Sequence, residues 1–241
     1  MSVRHIPYKD LKTVFLDAGN TMVSMDYEWL KDELRRCGVS CELQELRRAE
    51  AAARPMVSSE LQKLKSTENQ ETSLFYMKSI LKGLKSASSM SDKELDDIIK
   101  DLYKILRAPG MIQRLWSNIL TGVHEALESL KRRGLKLVVV SNSDGTVEEI
   151  LIKAGLSRYF FSVVDSHVVG YEKPDPRLFY YALKLSDAEP ETTIHIGDLY
   201  HVDVIGARSA GLHAALLDPF GDWRDVDCPR FVDLLDFASN F

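Results

Sequence analysis

The sequence is poor in several features that other function classes need. It has three cysteines in 241 residues, Cys37, Cys41 and Cys228, an odd and sparse set that excludes a disulfide framework. Cys37 and Cys41 stand at a helical spacing, but no nearby histidine or further cysteine completes a zinc site, and Gly38 between them breaks a helix there. They read as reduced thiols that pack, since nothing pairs them with an activating histidine. No uninterrupted apolar run approaches the length of a membrane span. A net charge of −5 gives no general attraction to nucleic acid or to an anionic membrane. Residues 1–10 are polar and lack the apolar core of a secretory signal, so the expected location is cytoplasmic.

Four polar signals, each after an apolar run, are what the sequence does contain. Asp17 follows Thr13-Val14-Phe15-Leu16, Ser141 follows Leu137-Val138-Val139-Val140, Lys173-Pro174 follows Val168-Val169-Gly170, and Gly197-Asp198 follows Thr193-Ile194-His195-Ile196. Short β-branched runs separated by helical patterns predict buried parallel strands. Ligands bind outside the carboxyl ends of such strands. One crevice would therefore collect an aspartate, a hydroxyl, an ammonium and a second acidic cluster, a set suited to magnesium-assisted transfer of an anionic group.

Residues 27–115 have hardly a β-branched run. Trp29, Leu30, Leu34 and Cys37 form one amphipathic stripe, Leu74 to Leu84 suggest a second helix, and Leu95, Ile98, Ile99, Leu102, Ile105 and Leu106 a third. Ser91 with Glu94 is a capping-box start for the third, and Pro109-Gly110 stops it. Strand–helix alternation resumes near Gly122, with helices expected at 123–133, 146–154, 176–184 and 204–210 and a last strand at 214–217. The expected fold is α/β: a doubly wound parallel-sheet core from residues 1–21 and 116–241, with an all-helical insert at 22–115. Charge follows the same division. Residues 26–115 hold 16 Lys/Arg and 15 Asp/Glu, so the negative balance belongs to the remainder.

In this order the motifs resemble the haloacid dehalogenase-like (HAD) hydrolase superfamily over most of the chain. They are Asp17-Ala18-Gly19-Asn20-Thr21, Ser141-Asn142, Gly170-Tyr171-Glu172-Lys173-Pro174-Asp175-Pro176, and Gly197-Asp198 followed after four residues by Asp203. The resemblance implies a Rossmann-like core whose helical insert is a cap. It also implies a phosphatase that acts on a small phosphorylated compound through an aspartyl-phosphate. Asp17 would be the nucleophile, Lys173 the catalytic cation at the family's basic position, and Ser141, Asn142 and Lys173 the phosphate-binding groups. Mg²⁺ would be held by Asp17, the main-chain carbonyl of Gly19, Asp198 and Asp203.

Each of these residues has a plainer reading. Asp17 before Gly19-Asn20 is good turn chemistry, Ser141 opens a turn-forming Ser-Asn-Ser-Asp-Gly stretch, and Asp203 could cap a helix starting at Val204. His195, inside an apolar strand, reads as a packed core histidine. One position departs from the family's phosphatases: where they carry an acid/base aspartate, this chain has Gly19, which cannot shuttle a proton. Asp26 and Tyr27, just after the first strand, are the candidates to replace it, and Asn20 could orient a water but not exchange protons. The departure leaves two alternatives open. One is a catalytically impaired phosphate- and Mg²⁺-binding protein. The other is a C–P or C–halogen hydrolase, the former needing a lysine such as Lys63 or Lys65 to form an imine.

Overall fold

The computed structural model describes residues 5–64 and 66–241, so Lys65 lies outside the described residues. The chain divides into two compact units, Met1–Ser24 with Ile119–Phe241, and Met25–Asn118.

The first unit is built on a six-stranded sheet. In chain order the strands are β1 (Thr13–Leu16), β2 (Val23–Ser24), β3 (Asn118–Ile119), β4 (Lys136–Ser141), β5 (Ser162–Asp165), β6 (Thr193–Gly197), β7 (His213–Leu217) and β8 (Arg230–Phe231). The sheet runs β5-β4-β1-β6-β7-β8, while β2 and β3 form a separate two-stranded piece. Every pairing within the large sheet is parallel. All four residues of β1 and all five of β6 are buried. Parallel strands covered on both faces have no solvent side, which is why these segments read as continuous apolar runs rather than alternating ones.

The covering helices follow the expected periodicity. The helix Val123–Arg132 buries Val123, Ala126, Leu127 and Leu130, one stripe at helical spacing. The helix Pro176–Ser186 starts at an Asp175 cap, whose side chain accepts from the Arg177 N–H, with Pro176 at its first turn. It buries Leu178, Phe179, Ala182 and Leu183 against Phe15, Val138, Val140 and Val164.

Three expectations about elements need correction. Val168 and Val169 are not a strand: they end a helical turn, Ser166–Val169, and Val168 is exposed. The strand before Lys173 is β5, whose Ser162 and Asp165 ends hide a two-valine centre from a pattern search. The helix expected from Val204 starts earlier, as a π-helical turn at Tyr200–Ile205 continued by Gly206–Ser209. Strand β8 and the helix Leu234–Ala238 follow the strand expected to be last.

The second unit contains α1 (Tyr27–Arg36), α2 (Leu43–Leu64), α3 (Gln70–Lys82), α4 (Asp92–Leu106) and α5 (Met111–Leu115). Asp26 caps α1 and Asn69 caps α3, while Ser91 and Glu94 complete a capping box on α4. Leu30, Leu34, Leu46, Ile80, Leu81, Leu95, Ile99 and Leu102 share one buried core. Beside it lies a buried ion pair, with Arg54 donating to Glu50 from Nε at 2.8 Å and Nη2 at 2.6 Å. Tyr27 and Tyr76 also donate their hydroxyls to Glu50. Burial pulls the Glu50 carboxyl up, but Arg54 and the phenols outweigh it and hold it below the ordinary value.

Candidate active site

The first unit places its polar signals where the strands end. Asp17 directly follows β1, and its N–H donates to the Ile196 carbonyl at 2.9 Å, prolonging the β1–β6 pairing by one residue. Ser141 is the last residue of β4 and Asp198 the first after β6. Because β4, β1 and β6 are adjacent, these three side chains leave the same edge of the sheet.

Asp17 is buried, and its contacts are one-sided. Ser141 Oγ donates to its Oδ1 at 3.0 Å and Lys173 Nζ donates to the same oxygen at 2.7 Å. Among the described residues no side chain or backbone N–H donates to Oδ2. Lys173, only 2% exposed, is therefore not the surface lysine that a residue before proline usually is. Its ammonium also donates to Asp203 Oδ1 at 2.7 Å. Burial lowers the Lys173 pKa, but Asp17 and Asp203 outweigh it and hold the ammonium charged far above neutrality.

Both oxygens of Asp203 are bonded. Its Oδ1 accepts from Lys173 and from His195 Nε2 at 3.0 Å, and its Oδ2 accepts from the Leu199 N–H at 2.9 Å. It does not cap a helix at Val204; it lies inside the π-helical turn and reaches back to the residue that precedes it. Burial raises its carboxyl, but Lys173 and then His195 outweigh that and keep it ionised well below the usual carboxylate range. Burial lowers the His195 pKa, so the ring stays neutral. A carboxylate only accepts, so the proton in that contact sits on Nε2.

Asn142 meets Lys173 through the backbone rather than pointing its amide oxygen outward. Its Oδ1 accepts the Lys173 N–H at 2.7 Å and its Nδ2 donates to the Lys173 carbonyl at 2.9 Å. This two-way bond ties the β4 loop to the lysine loop. That loop is also seated by a close approach: a Cβ at Gly206 would stand 2.9 Å from Pro174 Cα and 3.0 Å from Phe179 Cε2. Asn20, in the left-handed region at φ 51°, donates from Nδ2 to Asp198 Oδ2 at 3.3 Å. The Asn20 and His195 contacts were not foreseen from sequence, although a histidine between two isoleucines is a visible signal.

The donor chemistry suits a hard cation. Asp17 and Asp203 share one buried ammonium, Lys173, and the buried Asp198 leaves the end of the neighbouring strand, so buried carboxylates outnumber the buried cation. Burial raises the Asp17 pKa, with Lys173 opposing and Asp203 reinforcing the rise, so this carboxylate is the under-compensated one. Mg²⁺ takes only one or two carboxylates and keeps several waters. Asp17 and Asp198, two buried carboxylates at adjacent strand ends, meet that demand in number and type. No cluster of three or more His, Cys, Asp or Glu arranged for a metal occurs among the described residues; Asp203, expected as a further ligand, spends Oδ1 on Lys173 and His195 and one lone pair of Oδ2 on the Leu199 N–H.

The candidate proton carriers of the helical unit both have partners within it. Asp26 Oδ1 accepts the Trp29 N–H at 3.0 Å as the α1 cap. The Tyr27 phenol is raised by burial and by Glu50, to which it donates. The thiols are unsuited to nucleophilic work as well: burial pushes Cys37 and Cys41 up, and Cys228 to about 11. No helix among the described residues is long and apolar enough to cross a membrane.

Comparison with known proteins places these features in a family. The model for haloacid dehalogenase-like hydrolases matches residues 11–211. Haloacid dehalogenase-like hydrolase domain-containing protein 3 of Bos taurus is 42% identical over 120 residues, covering 50% of this chain and 46% of that protein. Glyceraldehyde 3-phosphate phosphatase of Methanothermobacter thermautotrophicus is 38% identical over 93 residues, covering 38% of this chain and 41% of that protein. The matched part thus spans about half the length of these curated relatives or less. In fold, the chain is similar to the HAD-hydrolase YfnB of Bacillus subtilis, solved bound to magnesium, with a TM-score of 0.66 at 16% identity and coverage of 95% and 98%.

Proposed function

The chain belongs to the haloacid dehalogenase-like hydrolase family, and from that premise we propose that it is a Mg²⁺-dependent phosphatase acting on a small phosphorylated compound. The observation that carries this reading is the one-sided binding of Asp17. Ser141 and Lys173 both hold Oδ1, which leaves Oδ2 without a protein donor and aims the unengaged oxygen as a nucleophile. Attack by Oδ2 on phosphorus forms the aspartyl-phosphate as the bond to the leaving oxygen breaks; water then cleaves the acyl phosphate and restores Asp17. Lys173 offsets the repulsion between the carboxylate and the incoming phosphoryl group. Ser141 orients Asp17 and offers its hydroxyl to a phosphate oxygen.

Asp17, Asp198 and the Gly19 carbonyl would hold Mg²⁺, which when bound supplies charge neutralisation for the transferred group. In this reading Asp203 serves the metal site indirectly, by holding Lys173. The helical unit is the cap that selects the substrate. Phosphatases among the relatives, including phosphoserine phosphatase of Thermus thermophilus and phosphoglycolate phosphatase 1 of Pseudomonas aeruginosa, support the substrate class.

Turnover of an aryl phosphate with and without Mg²⁺, followed by a phosphometabolite panel, tests the proposal. Activity should require the metal and disappear in Asp17→Asn; activity that survives this substitution rules out the covalent route. Gly19 favours a second reading, a phosphate- and Mg²⁺-binding protein without turnover. Binding of both ligands with no hydrolysis across the panel would select it. C–P cleavage finds less support, because Lys63 is exposed and paired with Glu60 at 3.0 Å.

A further inference from the structure

We propose that His195 is a positioning residue: it fixes the Asp203 carboxylate, and through it the Lys173 ammonium, against Asp17. The inference rests on the reading of Asp17 as the nucleophile.

The surroundings of His195 give it no packing reason to be polar. It is fully buried in the middle of β6, with Phe15 of β1 and Ala214 of β7 as its in-register neighbours. The ring of Phe179 meets it edge-on, with centroids 5.1 Å apart at 79°. A leucine would fill such a place without burying any polar atom. The imidazole instead leaves Nδ1 with no hydrogen-bond partner among the described residues. An unpaired buried nitrogen carries a desolvation cost, which offsets what the bond from Nε2–H to a carboxylate contributes, so the imidazole has no net stability advantage over leucine. Among the described residues the ring's one polar contact is Nε2–H to Asp203 Oδ1.

That contact fixes an orientation. The Leu199 N–H holds Oδ2 of Asp203, and His195 holds Oδ1, so the carboxylate cannot turn about its Cβ–Cγ bond. The same Oδ1 receives Lys173 Nζ at 2.7 Å, which places the ammonium where it also reaches Asp17 Oδ1 at 2.7 Å. Four groups, His195, Asp203, Lys173 and Asp17, thus form one hydrogen-bonded chain from the sheet interior to its edge. Removing His195 leaves Asp203 still paired with Lys173, so no buried carboxylate is abandoned. What is lost is the direction in which the lysine is held.

Two variants separate positioning from packing. In His195→Leu the melting temperature should equal or exceed that of the unsubstituted protein, because the unpaired nitrogen is gone. Its kcat on an aryl phosphate should fall about three- to tenfold, the worth of one net hydrogen bond, with KM within about twofold. His195→Gln carries an amide N–H of similar reach and should recover most of kcat. A Leu variant with unchanged kcat overturns the proposal, and so does a Leu variant that loses stability along with kcat and is not rescued by Gln. If the unsubstituted protein turns over no phosphate, the phosphatase reading fails by itself, and a second measurement decides the role of His195. The ammonium of Lys173, identified in ¹⁵N-edited spectra by its absence in Lys173→Arg, should give a protected signal in the unsubstituted protein and in His195→Gln. That signal should broaden or vanish in His195→Leu; if it is unchanged there, the proposal is overturned.

Discussion

The Asp203 carboxylate lies against the α-carbon of Gly197, so closely that a Cβ at position 197 would overlap its Cγ and Oδ2. The glycine of the Gly-Asp pair is thus there for space. It ends β6 and forms the floor on which the aspartate six residues later rests. The spacing of the motif is a packing relationship between a strand end and the turn that follows it.

Gly197→Ala should therefore act on the site as well as on the fold. Overfilling a packed place costs about 1–3 kcal/mol, and each kcal/mol lowers the melting temperature of a domain this size by about 2–4 °C. The methyl group would push Asp203 off Lys173, so aryl-phosphate turnover should drop by more than the loss of folded protein explains. Thermal melts and kcat measured on the same preparation check this. A destabilised variant with full kcat would show that Asp203 does not need its place beside Gly197.

Asp17→Asn should separate stability from activity. Asp17 has its pKa raised by burial, so the native state favours the protonated acid more than the unfolded chain does. The stability it contributes is present below the ordinary carboxylate pKa, about 3.9, and is lost as pH rises through the native value. At pH 7 without metal the ionised side chain is a liability, and asparagine removes it. The variant should melt at or above the unsubstituted protein in EDTA at pH 7, with the gap closing as pH falls toward 4. Mg²⁺ should raise the melting temperature of the unsubstituted protein only, as a ligand of the native state does. A variant that melts lower at pH 7 would mean that the Lys173 ion pair outweighs the burial of Asp17.

The sheet and its carboxyl-edge residues were legible because each motif combines a burial pattern with a chemistry that has few other uses. Asp17, Ser141 and Asp198 all sit at strand ends as expected. The lysine loop was found for the wrong reason. Val168 and Val169 belong to a helical turn, and the strand that delivers the loop is the less apolar β5. The 22-residue α2 was not singled out, because Pro55 lies inside it and its buried stripe includes Glu50 and Arg54, which look solvent-facing until their pairing is seen. Side-chain partners such as Asn142 with Lys173, 31 residues apart, and His195 with Asp203, eight apart across a strand end, were beyond a linear reading: contacts across loops have no periodicity to detect.

Gly19→Asp should restore the proton carrier that the family's phosphatases use. General acid–base catalysis contributes about 10²–10⁴-fold, so turnover of a substrate with a poor leaving group, such as an alkyl phosphate, should rise within that range. An aryl phosphate should gain less from the acid role, because its leaving group departs without a proton. Steady-state kinetics on both substrates tests the difference. A variant that binds Mg²⁺ but is no faster on either substrate would show that the site lacks more than an acid.

Position 19 also divides the two halves of the proposed reaction. With glycine there, phosphoryl transfer from an activated substrate to Asp17 needs no acid, since Lys173 and Ser141 already hold the nucleophile in place. The second half needs a water deprotonated near the aspartyl-phosphate. Tyr27 is held by Glu50 with its pKa raised by burial, and Asp26 spends Oδ1 on the α1 cap, which leaves only its Oδ2 for proton transfer. Hydrolysis of the phosphoenzyme should then be slower than its formation. Rapid-quench measurement with an aryl phosphate and Mg²⁺ should show a burst of phenol approaching one equivalent of enzyme, followed by a slow steady state. Gly19→Asp should shrink the burst by speeding the second step. Product release that is linear from the first turnover, together with a fast steady rate, would mean that hydrolysis is not limiting and that another group supplies the base.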